Sequence, residues 1–61
     1  MADEREAMLM RVRDMRDLAF RSRRAARGVP TQWAVDTLNA YAQELDEQAD
    51  ELERRADGND T

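Results

Sequence analysis

The side chains best suited to chemistry in this sequence are arginines of the first half of the chain that lie close to one phenylalanine. At helical spacing, six residues fall on one surface, which we call the Arg–Phe surface: Arg13, Arg16, Phe20, Arg23, Arg24 and Arg27. A phenylalanine among guanidinium groups can stack on nucleic-acid bases while the arginines contact phosphates. Such a surface can also anchor a protein partner, because arginine and aromatic residues are enriched in interfaces.

A structural interpretation of the Arg–Phe surface is favoured over nucleic-acid binding. Arginines are stabilising near the C-terminal end of a helix and can pair with acidic residues, while Phe20 can fill a crevice in an oligomer. Asp14 and Asp17 lie close to this surface, and the second half of the chain is acidic. The negative charges of both features repel the phosphate backbone, which weighs against nucleic-acid binding.

The other residue types in the sequence argue against catalysis. The sequence has no His and no Cys, so nucleophilic triads, imidazole acid–base chemistry and the usual transition-metal sites are excluded. In an acidic run of the second half, helical spacing places Glu47 beside Asp50 and Glu51. A solvated helix face is favoured here over a weak cation site, because no loop holds the carboxylates. We predict a protein that is not an enzyme and has no cofactor or metal.

Two amphipathic helices must position these side chains. Apolar and small residues recur at alternating steps of four and three, the period of a helix that packs along another helix. This seam consists of Met8, Val12, Met15, Ala19, Ser22 and Ala26 in the first half and Val35, Leu38, Ala42, Leu45, Ala49, Leu52 and Ala56 in the second. The pattern predicts an all-α fold, an antiparallel two-helix hairpin of the coiled-coil type with small residues in its seam.

Capping residues predict where the two helices begin and end. Asp3 is suited to the N-cap of a first helix over about 4–27, and Gly28 to the position after its C-cap. A turn over 28–30 contains Pro30, and Thr31 is suited to the N-cap of a second helix over about 32–57. The tail 58–61 is expected to fray. Residues 1–61 thus form a single domain.

Folding the chain at 28–30 predicts which seam residues face each other. The predicted layers are Ser22–Val35, Ala19–Leu38, Met15–Ala42, Val12–Leu45 and Met8–Ala49. At the open end, Arg5 is expected to lie over Leu52 with its guanidinium near Glu51 or Glu53. Trp33 is expected to cover the turn by packing over Ala26 and Val29, with an exposed anchor for another protein as the alternative.

The two sides of the seam differ in polarity. One side, the apolar flank, carries Leu18, Ala25, Ala34 and Tyr41; the other, the charged flank, carries Arg16, Arg23, Asn39, Asp46 and Glu53, with Leu9 as its apolar exception. Because so small a hairpin has no disulfide, oligomerisation is expected to stabilise it. We predict a homodimeric four-helix bundle with the interface residues Met8, Met15, Leu18, Ala25, Ala34 and Tyr41.

Charge and hydropathy bear on the cellular location of the protein. The net charge is −4, divided into +3 over 1–28 and −7 over 29–61, so the two halves complement each other. No apolar run is long enough to span a membrane, and the acidic stretch MADEREAMLM is unlike a signal peptide. With no Cys to suggest an oxidising compartment, we expect a cytoplasmic location.

The chain length, the two heptad helices, the short turn and the Arg–Phe surface together resemble the Rop family of small plasmid RNA-binding proteins. That resemblance implies a dimeric four-helix bundle whose first helices bind paired RNA loops. The residues themselves favour a small non-enzymatic interaction or regulatory protein that acts by protein–protein contacts through a helical bundle. The alternatives are a Rop-like dimer that binds RNA or DNA, and an obligate small subunit of a larger assembly.

Overall fold

Two packed α-helices make up the protein. The computed structural model describes residues 3–58, in which α1 spans Glu4–Ala26 and α2 spans Gln32–Gly58. The helices pack against each other, which confirms the predicted all-α hairpin. The molecule measures 47 × 20 × 9 Å, so it is a single layer of helices with two broad faces. Neither helix in the described part is long and apolar enough to cross a membrane.

Both helices begin at the predicted N-caps. Asp3 has extended backbone angles, and its Oδ1 accepts a hydrogen bond of 2.7 Å from the Glu6 N–H. Thr31 Oγ1 accepts a bond of 3.3 Å from the Ala34 N–H at the start of α2. Each side chain satisfies one of the N–H groups that a helix leaves without an internal partner, which fixes the first turn.

The C-terminal end of α1 closes without a left-handed residue. Gly28 follows the C-cap residue Arg27 as predicted, but within 3–58 no glycine has a positive φ. The helix instead ends with two hydrogen bonds between residues three positions apart. The Arg27 N–H donates to the Arg24 carbonyl at 3.2 Å, and the Gly28 N–H donates to the Ala25 carbonyl at 3.1 Å. These bonds satisfy carbonyls that would otherwise lack a partner.

The core of the hairpin is made mostly of alanine. All eight buried residues within 3–58 lie on the predicted seam: Val12, Ala19, Ser22 and Ala26 in α1, and Ala42, Leu45, Ala49 and Ala56 in α2. Five of the eight are alanine, and no large side chain in the described part is fully buried. Small side chains allow close approach of the helices but bury little apolar surface.

The register differs from the predicted one by about one helical turn. Ala19 packs in one cluster with Ala42 and Leu45, whereas the prediction set it against Leu38. At the open end, Arg5 Nη2 lies 3.8 Å from Asp57 Oδ1, and Asp57 is one helical turn beyond the predicted partner Glu53. The predicted layer Ala19–Leu38 is therefore wrong, whereas Met15 packs against the cluster that contains its predicted partner Ala42. The connection 27–31 is longer than the predicted turn 28–30.

Trp33 does not cover the turn. Its side chain is 77% exposed, so the predicted packing over Ala26 and Val29 is wrong. Val35 in the same turn is half-buried, so the first turn of α2 directs Val35 toward α1 and Trp33 away from it.

Candidate interaction surfaces

The charged flank joins the two helices through a network of ion pairs. Arg16 Nη2 donates a hydrogen bond to Asp50 Oδ1 at 2.8 Å and to Glu53 Oε1 at 3.4 Å, while Arg16 Nη1 lies 3.9 Å from Asp46 Oδ1. Arg23 Nη2 lies 2.7 Å from Asp46 Oδ2. The two arginines of α1 thus contact three carboxylates of α2.

Helical spacing accounts for this network. Asp46, Asp50 and Glu53 are separated by four and three residues and form one stripe of α2, while Arg16 and Arg23 are one heptad apart on α1. The hydrogen bond to Asp50 raises the pKa of the Arg16 guanidinium; partial burial lowers it, and the charges of the three carboxylates raise it further. Arg16 therefore stays positively charged and pairs with the carboxylates of α2.

The outer side of α1 keeps part of the Arg–Phe surface. Phe20 is 59% exposed, and the Arg24 Cζ lies 5.9 Å from the centre of its ring in a cation–π contact. Arg13 and Arg27 are also exposed and form no ion pair with any residue of 3–58. The six residues predicted as one surface thus divide into two groups. Arg16 and Arg23 hold α2, whereas Arg13, Phe20, Arg24 and Arg27 face outward.

The apolar flank is only partly covered by the hairpin itself. Met15 and Leu18 pack against the core cluster but remain half-buried, and Tyr41 is 45% exposed. Of the other predicted interface residues, Met8 and Ala34 are half-buried and Ala25 is exposed. No ion pair between described residues joins the helices on this flank.

A groove that the sequence analysis missed opens in the half of the apolar flank away from the turn. It has a volume of about 200 Å³ and is lined by Arg11, Met15, Gln48, Glu51, Leu52 and Arg55. Heptad spacing could have predicted the position of this groove. Arg11 precedes Leu18 by one heptad, and Gln48 and Arg55 follow Tyr41 by one and two heptads, so all three lie on the apolar flank. The flank therefore changes from apolar near the turn to polar near the open end.

Three carboxylates in the acidic run of α2 interact with three different side chains. Asp50 accepts from Arg16, Glu47 accepts from the Gln43 amide at 3.3 Å, and Glu51 lies 3.5 Å from Arg55. Within 3–58, no group of three acidic side chains is arranged to hold a metal ion.

Comparison with protein-family models, with curated proteins and with solved structures finds no match to this chain. The similarity to the Rop family is therefore one of helical pattern, without a match of sequence or structure. Function has to be inferred from the surfaces of the hairpin.

Proposed function

We propose that this is a small non-enzymatic interaction protein that acts as a homodimer, in which two hairpins pack through their apolar flanks into a four-helix bundle. The observation that carries the proposal is the partly uncovered apolar flank above an alanine core. Leu18 and Met15 contact the core cluster from this side, and Tyr41 stands half-exposed beside them. Water therefore reaches the flank, while Ala19 and Ala42 beneath it are fully buried.

A second copy would supply the missing layer. Structures below about 70–80 residues seldom gain enough from one core and rely on disulfides, metals or oligomerisation. This chain has 61 residues and no Cys. The broad face extends over 47 × 20 Å. A face of this size has room for an interface of the standard ~800 Å² per partner.

The dimer would still expose residues for a regulatory partner. Arg13, Phe20 and Arg24 lie on the outer side of α1, away from the proposed dimer interface, so a bundle presents two copies of this outer part of the Arg–Phe surface. An aromatic ring flanked by guanidinium groups suits a partner protein with acidic and apolar side chains. Trp33 provides a further exposed aromatic contact near the turn.

The test is to place charge on the apolar flank. We expect Leu18→Glu combined with Tyr41→Glu to give a monomer that has lost much of its helicity, since a lone hairpin has too little core. Analytical ultracentrifugation and far-UV circular dichroism measure the two effects. Phe20→Glu is the control for each single change, because it places one glutamate at an exposed aromatic position on another side of the hairpin.

Two outcomes would contradict the proposal. A fully helical monomer of the unmodified protein at micromolar concentration would show that the flank needs no cover. An unfolded monomer at every concentration would favour the alternative of an obligate subunit in a larger assembly.

Nucleic-acid binding remains a second candidate, on one specific observation. The exposed Phe20 ring with Arg24 beside it forms a stacking platform of the kind that binds unpaired bases. The commitment of Arg16 and Arg23 to α2 removes two of the cations that such a site would use. Salt-dependent titration with RNA separates this candidate from the first.

A further inference from the structure

We propose that the two copies dock in opposite directions, with Tyr41 of each hairpin seated in the groove of the other. This inference rests on the proposed dimerisation through the apolar flank and names the contact that orients it. It assigns a ligand to the groove between the helices: an aromatic side chain from a second copy of the chain.

The protruding side chain and the groove lie on the same flank at different heights. The α2 residues that line the groove, Gln48 to Arg55, follow Tyr41 by seven to fourteen residues, which is about 10–21 Å of helix rise. Tyr41 itself is 45% exposed, so its ring projects from the flank. Each hairpin therefore carries one projection and one recess side by side.

The chemistry of the groove suits a tyrosine ring. Met15 and Leu52 are its apolar residues, and a thioether packs favourably against an aromatic ring. Arg11 and Arg55 can lie against the face of the ring, and Glu51 or Gln48 can accept the phenolic O–H. A cavity of about 150 Å³ holds a benzene ring. The groove of about 200 Å³ therefore has room for one aromatic side chain.

A two-fold axis between the projection and the recess satisfies both contacts at once. If the hairpins run in opposite directions, Tyr41 of each copy lies over the groove of the other, in a self-complementary interface. If both turns lie at the same end, Tyr41 lies at the height of the partner subunit's Tyr41, and each groove lies at the height of the other groove. The paired contacts therefore require opposite directions.

The distribution of charge along the hairpin favours the same orientation. Between the layer of Ala19 and Ala42 and the turn, residues 20–41 contain four Arg and one Asp, a balance of +3. On the other side of that layer, residues 3–18 and 43–58 contain six Arg and twelve acidic residues, a balance of −6. Opposite directions place the basic half of each copy on the acidic half of its partner, whereas equal directions place like charges together.

A spin label at the turn distinguishes the two orientations. The chain has no Cys, and a Cβ at Gly28 meets only the Ala25 carbonyl oxygen at 3.8 Å, so Gly28→Cys gives a single tolerated attachment point. Pulsed dipolar spectroscopy of the labelled dimer is expected to give a separation near the 47 Å length of the hairpin. A separation of about 20 Å or less, the width of the hairpin, would overturn the orientation while leaving the dimer intact. A monomer with no dipolar signal would overturn the proposed function as well.

Substitution of Tyr41 tests the contact itself. Tyr41→Ala is expected to raise the dissociation constant of the dimer by at least about thirtyfold, the effect of losing a buried aromatic anchor. Tyr41→Phe keeps the ring and is expected to change it by less than about tenfold. Phe20→Ala, which removes an exposed ring on another side, is the control and should have no effect. Equal effects of Tyr41→Ala and Phe20→Ala in sedimentation equilibrium would show that Tyr41 occupies no groove.

Discussion

On one flank of the hairpin, Arg16 and Arg23 bridge α1 to the carboxylates of α2, whereas on the opposite flank Leu18 and Tyr41 remain partly open to water. The charged flank is complete within one chain, because every arginine in it has an acidic partner at 2.7–3.9 Å. On the apolar flank no ion pair between described residues joins the helices, and only another layer of side chains can cover it.

This difference indicates what each flank contributes. Exposed ion pairs are individually worth little, typically 0–1 kcal/mol, since water already solvates both charges. A network that links three carboxylates to one guanidinium mainly fixes which turns of the helices face each other. The apolar flank offers the larger free-energy gain, but only on association, because burial of apolar surface supplies it.

The largest expected effect on stability comes from a substitution in the buried seam between the two flanks. Ala42 is fully buried in the cluster with Ala19 and Leu45, so Ala42→Leu has no space for its added methyl groups. We expect a loss of about 1–3 kcal/mol in the free energy of unfolding, as the helices separate and both flanks open. Urea denaturation measures this loss. Gln43→Leu at the neighbouring exposed position is the control, and equal losses from the two changes would mean that Ala42 is not at the helix contact.

A smaller effect is expected on the charged flank alone. Arg16→Ala removes the contacts to Asp46, Asp50 and Glu53 and should lower the free energy of unfolding by about 1 kcal/mol at low salt. The difference should shrink in 1 M salt, where the screening length falls to about 3 Å. Thermal denaturation at two salt concentrations measures it.

Arg13→Ala is the matched control, because Arg13 forms no ion pair with any described residue. Arg16→Ala should also leave the dimer affinity unchanged, because Arg16 lies away from the apolar flank. A dimer weakened as strongly by Arg16→Ala as by Tyr41→Ala would show that the two flanks do not act separately.

The smallest expected effect is at Phe20, which belongs to neither flank. Phe20→Ala should change the free energy of unfolding by no more than about 0.5 kcal/mol, as is usual for surface substitutions. In titrations with structured and single-stranded RNA at two salt concentrations, we expect no binding tighter than about 100 μM. Tighter binding that Phe20→Ala weakens by about 1–3 kcal/mol would favour the nucleic-acid alternative.

The sequence by itself determined the local structure of this protein. Asp3 and Thr31 cap the two helices as predicted, since a cap depends only on residues three positions apart. The four-and-three spacing identified the seam that contains every buried residue of 3–58, because a helix repeats its faces with that period. The same helical-wheel geometry placed Arg16, Arg23 and Asp46 on one flank of the seam.

Only the tertiary structure decided the register and its consequences. Sliding one helix by a turn keeps the same seam in contact, so heptad spacing cannot distinguish Ala19 against Leu38 from Ala19 against Ala42 and Leu45. The structure has the second arrangement, in which Trp33 is exposed and a groove opens beside Met15. Features that depend on the relative height of two helices arise from contacts distant in the chain, and a pattern that repeats every turn contains no information about that height.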